Sequence, residues 1–128
     1  MKLLLDTHAF IWWDGSPERL GPLARSACLD PANELVLSVT SVWEMQIKAL
    51  LGKLTLRKPL RQLLEDQARQ NRLLVLPVPL EPVLRLDTLP ALHKDPFDRL
   101  IVAQAVVEGW PVVTHDPLIA QYPVTVIW

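Results

Sequence analysis

The segment Lys2-Leu3-Leu4-Leu5-Asp6-Thr7-His8 reads as a strand that ends on an acid. Three successive leucines show no alternation with polar residues, so both faces of this strand must be covered. Strands buried on both faces belong to parallel sheets flanked by helices. Working outward, short apolar runs recur at Leu35–Val39, Leu73–Leu76, Pro111–Thr114 and Val124–Ile127. Helical patterns lie between them. Thr7–Trp13 is short, and Leu20–Leu29 ends at Asp30-Pro31. Ser41–Leu51 places Trp43, Ile47, Leu50 and Leu51 on one face and is closed by Gly52. Pro59 starts a helix with the stripe Leu60, Leu63, Leu64 and Ala68; Glu81–Leu89 is weaker. Pro96 starts the strongest helix, Phe97–Glu108, closed by Gly109 and apolar almost all round. Strands alternating with helices predict an α/β fold, a three-layer α/β/α domain with a central parallel sheet. The strand order is not legible in these patterns.

The chain has 128 residues, enough for one domain spanning 1–128. Half of them are hydrophobic, more than one small core needs, so an apolar interface and a homodimer are expected. A formal charge of -1 announces no nucleic-acid binder, but the charge is unevenly distributed. Lys48, Lys53, Arg57, Lys58, Arg61, Arg69 and Arg72 fall in one stretch, with only Glu65 and Asp66 against them. Alone, that stretch reads as a solvated helix face; beside an acidic metal site it reads as a phosphate-contacting rim. Cys28 is the single cysteine and sits among small apolar residues, which excludes an intramolecular disulfide. Three leucines after Lys2 are too few for a signal-peptide core, and no apolar run reaches the roughly 20 residues of a membrane span. A cytoplasmic protein is expected.

Ligands of an open parallel sheet bind beyond the carboxyl ends of its strands. Four acids fall there: Asp6 after the first strand, Glu44 after the second, Asp98 in the first turn of the long helix, and Asp116 after Val112-Val113-Thr114. Two carboxylates at 4 Å repel by about 4 kcal/mol at an effective dielectric of 20, so a fold that gathers them normally holds a cation. Each acid also has a local reading. Asp6 can cap the following helix. Ser41-Val42-Trp43-Glu44 matches a capping box, which alone explains Glu44. Asp95-Pro96-Phe97-Asp98 is a cap, a Pro at N1 and an acid at N3, and Asp116-Pro117 is a turn start. His8, His93 and His115 lie within two residues of Asp6, Asp95 and Asp116. They lack metal-site spacing, so a phosphate contact or a bond to a carboxylate is expected of them. The tryptophans could stack on bases, although core or interface positions are the commoner use.

The segments Leu5-Asp6-Thr7-His8, Ser41-Val42-Trp43-Glu44, His93-Lys94-Asp95-Pro96-Phe97-Asp98-Arg99 and Thr114-His115-Asp116 occur in the order of the PIN-domain ribonucleases. Within that family the chain resembles the VapC-type toxins of prokaryotic toxin–antitoxin pairs, over essentially its whole length. The resemblance implies a Mg²⁺- or Mn²⁺-dependent endoribonuclease and a cognate antitoxin that occupies its site. It implies Asp6, Glu44, Asp98 and Asp116 as the metal-binding acids, with Asp95 as a further ligand, a supporting residue or a cap. Thr114 matches the small hydroxyl residue before the last acid, and Thr7 and Thr114 are expected to bond to the acids. Ile119 stands where relatives often have Phe, a packing variation. Oxygen ligation suits Mg²⁺ or Mn²⁺, and the resemblance implies hydrolysis of an RNA phosphodiester that leaves a 5′-phosphate and a 3′-hydroxyl. Lys48, Lys53, Arg57, Arg61 and Arg99 are the candidate RNA-backbone contacts. Two other classes compete. A receiver-type phosphoacceptor needs a late lysine at the site, and none follows Lys94; an Asp-x-Asp phosphatase needs an acid where His8 stands. A catalytically inactive PIN-like interaction module would use its acids only as caps.

Overall fold

A computed structural model describes residues 1–128. The strands are β1 (Lys2–Leu5), β2 (Glu34–Ser38), β3 (Leu74–Leu76), β4 (Val112–Val113) and β5 (Val126–Ile127). They form one sheet in the order β3-β2-β1-β4-β5, with every neighbouring pair parallel. The helices are α1 (Thr7–Gly15), α2 (Pro22–Leu29), α3 (Val39–Leu50), α4 (Leu60–Asn71), α5 (Leu80–Arg85) and α6 (Pro96–Glu108). The expected three-layer α/β/α domain is therefore the observed one.

Strand side chains alternate between faces, so an all-apolar strand supplies two cores at once. Leu3 and Leu5 join Leu35, Leu37 and Val113 on one face, against Phe10, Ala24, Met45 and Leu63 from α1 to α4. Leu4 joins Val36 and Val112 on the other, against Ile101, Val102 and Ala105 of α6 and against Ile119 and Tyr122. Leu3, Leu4 and Leu5 are fully buried, and burial of each such side chain contributes about 1.5–3 kcal/mol. Ile119 is buried too, in keeping with a packing role.

Several element boundaries differ from the sequence expectation, among them those of α2, α5 and α3. α2 begins at Pro22, after a separate 3₁₀ turn at Pro17–Arg19. α5 stops at Arg85. The third change matters most: α3 begins at Val39, and its cap is Ser38, whose hydroxyl accepts the Thr40 N–H at 3.1 Å. Ser41 therefore lies inside the helix and Glu44 in its second turn. The capping-box explanation of Glu44 fails, because the chain passes from strand to helix with no intervening turn.

Gly109 ends α6 at φ 72°, a left-handed conformation that a side chain would strain. Gly21 is needed for close approach: a Cβ there would lie 2.5 Å from the Trp128 backbone carbon. No helix is long and apolar enough to cross a membrane.

Candidate active site

Asp6, Asp98 and Asp116 line one cleft of about 290 Å³ beyond the carboxyl ends of β1 and β4. The parallel pairing of β1 with β4 carries residues from opposite ends of the chain to the same edge. Asp6 is buried and does two things there. Its Oδ1 accepts the Ala9 N–H at 2.7 Å and caps α1, while its Oδ2 accepts the Thr114 hydroxyl. Burial raises its pKa, and the bond from Thr114 pulls the other way.

Asp98 sits in the first turn of α6, and Asp95 is the helix cap. The Asp95 Oδ1 accepts Phe97 N–H at 2.8 Å and Asp98 N–H at 3.3 Å. Burial lifts the Asp98 carboxyl to about 7, and the charges of Asp95, Glu44 and Asp6 add to the effect. Asp116 behaves oppositely. Burial pushes it upward, but the bond from His93 and backbone N–H groups at Leu118 and Ile119 hold it below the usual carboxylate range.

Between these two acids stands His93. Its Nε2 lies 2.8 Å from Asp116 Oδ2 and 3.2 Å from Asp98 Oδ2. Its Nδ1 faces the Asp95 N–H at 3.2 Å, which leaves Nε2 as the donor to the carboxylates. Burial lowers the His93 pKa, but Asp116, Asp98 and Asp95 together raise it above its ordinary value. One ligand atom from each of His93, Asp98 and Asp116 lies within 4.8 Å of the others. The expected histidine-to-carboxylate bond is thus present, made to Asp116, with Asp98 at ion-pair distance from the same nitrogen. Proximity to Asp95 and Asp98 in sequence was its only signal, because its bond to Asp116 spans 23 positions.

Glu44 is not part of the cleft lining. Its Oε1 accepts the Thr7 hydroxyl at 2.6 Å, and its Oε2 pairs with Lys48 at 2.5 Å. The Thr7 hydroxyl has one proton to give, so the 3.0 Å contact with Ser41 Oγ is made with the Ser41 proton. Glu44 stands behind the cleft, buried, with its charge felt by Asp98.

The basic candidates divide. Lys48 holds Glu44, and Arg57 makes a two-point bond to Asp14, both at 2.8 Å. Lys58 and Arg69 pair with Asp66. Arg99, expected on RNA, instead donates to the carbonyls of Pro90 at 2.8 Å and Leu86 at 3.2 Å and so ties α6 to the preceding loop. Lys53 and Arg61 are exposed and make no ion pair. Much of the basic stretch is therefore engaged in intramolecular pairs. Cys28 is buried, its thiol pushed up to about 11 by burial, so it is no nucleophile.

The donor set of the cleft suits a hard dication. The carboxylates of Asp6, Asp98 and Asp116 supply hard oxygen donors, His93 stands against Asp98 and Asp116 outside the cleft lining, and Asp98 is raised to about 7 by burial and then by the neighbouring acids. A family model described as PIN domain matches residues 3–124.

The chain belongs to the PIN-domain family.

This PIN domain is 32% identical over 128 residues to Ribonuclease VapC22 of Mycobacterium tuberculosis (strain ATCC 25618 / H37Rv), covering 97% of each chain. Among solved structures it is similar to VapBC2 from Rickettsia felis, bound to a DNA fragment from its promoter. That match has a TM-score of 0.73 and 17% identity, over 98% of this chain and 97% of the other. DNA-bound VapBC from Salmonella typhimurium matches with a TM-score of 0.66 and 19% identity, over 98% and 96%. At such identities these likenesses speak for the fold. Family membership makes a receiver-type or Asp-x-Asp phosphatase reading unnecessary.

Proposed function

We propose that this PIN domain is a metal-dependent endoribonuclease, the toxin of a toxin–antitoxin pair. The observation that carries the proposal is the convergence of Asp6, Asp98 and Asp116 in one cleft, in a chain 32% identical to a ribonuclease. The proposed cation is Mg²⁺ or Mn²⁺, held by Asp6, Asp98 and Asp116. Such an ion supplies charge neutralisation at the phosphate and a lowered pKa for water.

The protein groups have separate tasks. Thr114 orients the Asp6 carboxylate, and the cap at Asp95 orients the first turn that carries Asp98. His93 holds Asp98 and Asp116 together and offsets part of their repulsion. Glu44, oriented by Thr7 and Lys48, contributes negative charge behind the cleft and is the proposed acceptor for a proton leaving the site. Asp95 acts as a cap rather than a ligand. Lys53 and Arg61 remain the proposed contacts to the RNA backbone. The proposed partners are RNA, a cognate antitoxin protein and a second copy of the chain, in the cytoplasm.

Asp6→Asn tests the mechanism: the amide oxygen can replace Oδ1 and still cap α1, while the amide NH2 replaces Oδ2 and donates to the Thr114 hydroxyl, which turns from donor to acceptor. Purified variant should fold with a near-normal melting temperature, yet lose at least a hundredfold in Mn²⁺-dependent RNA cleavage, a loss of about 2.7 kcal/mol of transition-state stabilisation or more. Full activity would sink the proposal.

A further inference from the structure

The cleft that holds the acids is also walled by aromatic rings that the chemistry above does not use. His8, Trp12, His115 and Trp128 line it. His115 and Trp128 are stacked, with ring centroids 4.9 Å apart and planes 5° from parallel. Trp128 meets Trp12 at 5.8 Å, and the Arg19 guanidinium covers Trp12 at 4.4 Å. Trp128 is fixed from behind. Its carbonyl accepts the Leu23 N–H at 3.2 Å, and its indole lies so close to Gly21 that a Cβ there would stand 2.6 Å from it.

His115 thus has one face seated on a rigid indole, and the residue is exposed. A planar ring backed on one side and open on the other accepts a further planar ring in offset stacking. Every nucleobase carries a π-face, so such a seat tolerates sequence. Bases inside a duplex already have both faces occupied and cannot continue the stack.

We propose that the His115–Trp128 stack seats one unpaired nucleobase beside the scissile phosphate. This deepens the ribonuclease reading and rests on it. His115 is here a positioning residue, acting through the base rather than on the reacting bond. A rival role, imidazolium contact with phosphate, needs charge and no π-face.

The test uses the full chain carrying Asp6→Asn, so that binding is measured without cleavage. Single-stranded oligoribonucleotides, each lacking one base, are titrated by fluorescence anisotropy. One abasic position should weaken binding by roughly five- to a hundredfold. Adding His115→Ala should weaken the intact oligonucleotide by the same factor and make base removal at that position silent. Adding His115→Phe should restore the effect. The proposal is overturned if base removal has no effect at any position, or if Phe behaves like Ala. Wild-type cleavage of the same RNA is followed in parallel. Cleavage without a base-position effect removes the seat alone; a base-position effect without cleavage removes the ribonuclease reading and leaves the seat.

Discussion

Burial, then the charges of Asp95, Glu44 and Asp6, hold the Asp98 carboxyl near 7 in the folded protein, against an ordinary value of 3.8. The folded state therefore binds this proton more tightly than the unfolded chain does. Through this group, metal-free stability falls as pH rises from 3.8 to about 7, because the unfolded chain gives up the proton first. Asp116, lowered, titrates below that window, whereas burial raises Asp6 too, so the Asp98 share is read from the difference between variant and wild type. Asp98→Asn should accordingly gain in melting temperature relative to wild type as pH climbs through this range without metal, and Mn²⁺ should reverse the order. A difference constant with pH would contradict the Asp98 assignment. Asp6, Asp98 and Asp116 were legible in the sequence because each stands at a strand end or helix entrance. His93 was legible only as a neighbour of acids. Its bridging position depends on β4 lying beside β1, which no local pattern encodes.

Elements were read most securely where composition left no choice. Lys2–Leu5 had to be buried on both faces, and Pro96 and Gly109 bracket α6 by their backbone requirements. The start of α3 is ambiguous to local rules because Ser38 and Ser41 both precede apolar residues, and the Ser41-to-Glu44 spacing fits a capping box. Tertiary pairing decides otherwise: Ser38 still pairs with Leu76 of β3, and the helix follows at once. Ser38→Ala should lower stability by about 1 kcal/mol through loss of the cap, measured by chemical denaturation. The same substitution at Ser41 removes no cap and should leave the start of α3 intact. An equal cost at both positions, with equal loss of helix signal, would return the cap to Ser41.

Over the whole molecule, the cleft is assembled from the first and last parts of the chain. Asp6 is bonded to Thr114 across 108 positions, and the aromatic wall is completed by Trp128. The close approach of Trp128 to Gly21 locks this closure. Gly21→Ala should cost about 1–3 kcal/mol by overpacking and should change tryptophan emission as Trp128 is displaced. An unaltered spectrum and midpoint would show that the final strand yields freely. The same closure has a consequence for synthesis. A chain still being translated folds its N-terminal part first. It then holds Asp6 and Glu44 but neither Thr114, Asp116 nor the closing tryptophan. Whatever this cleft does to RNA, a chain that has not yet reached Thr114, Asp116 and Trp128 cannot do it to the ribosome or message that is producing it.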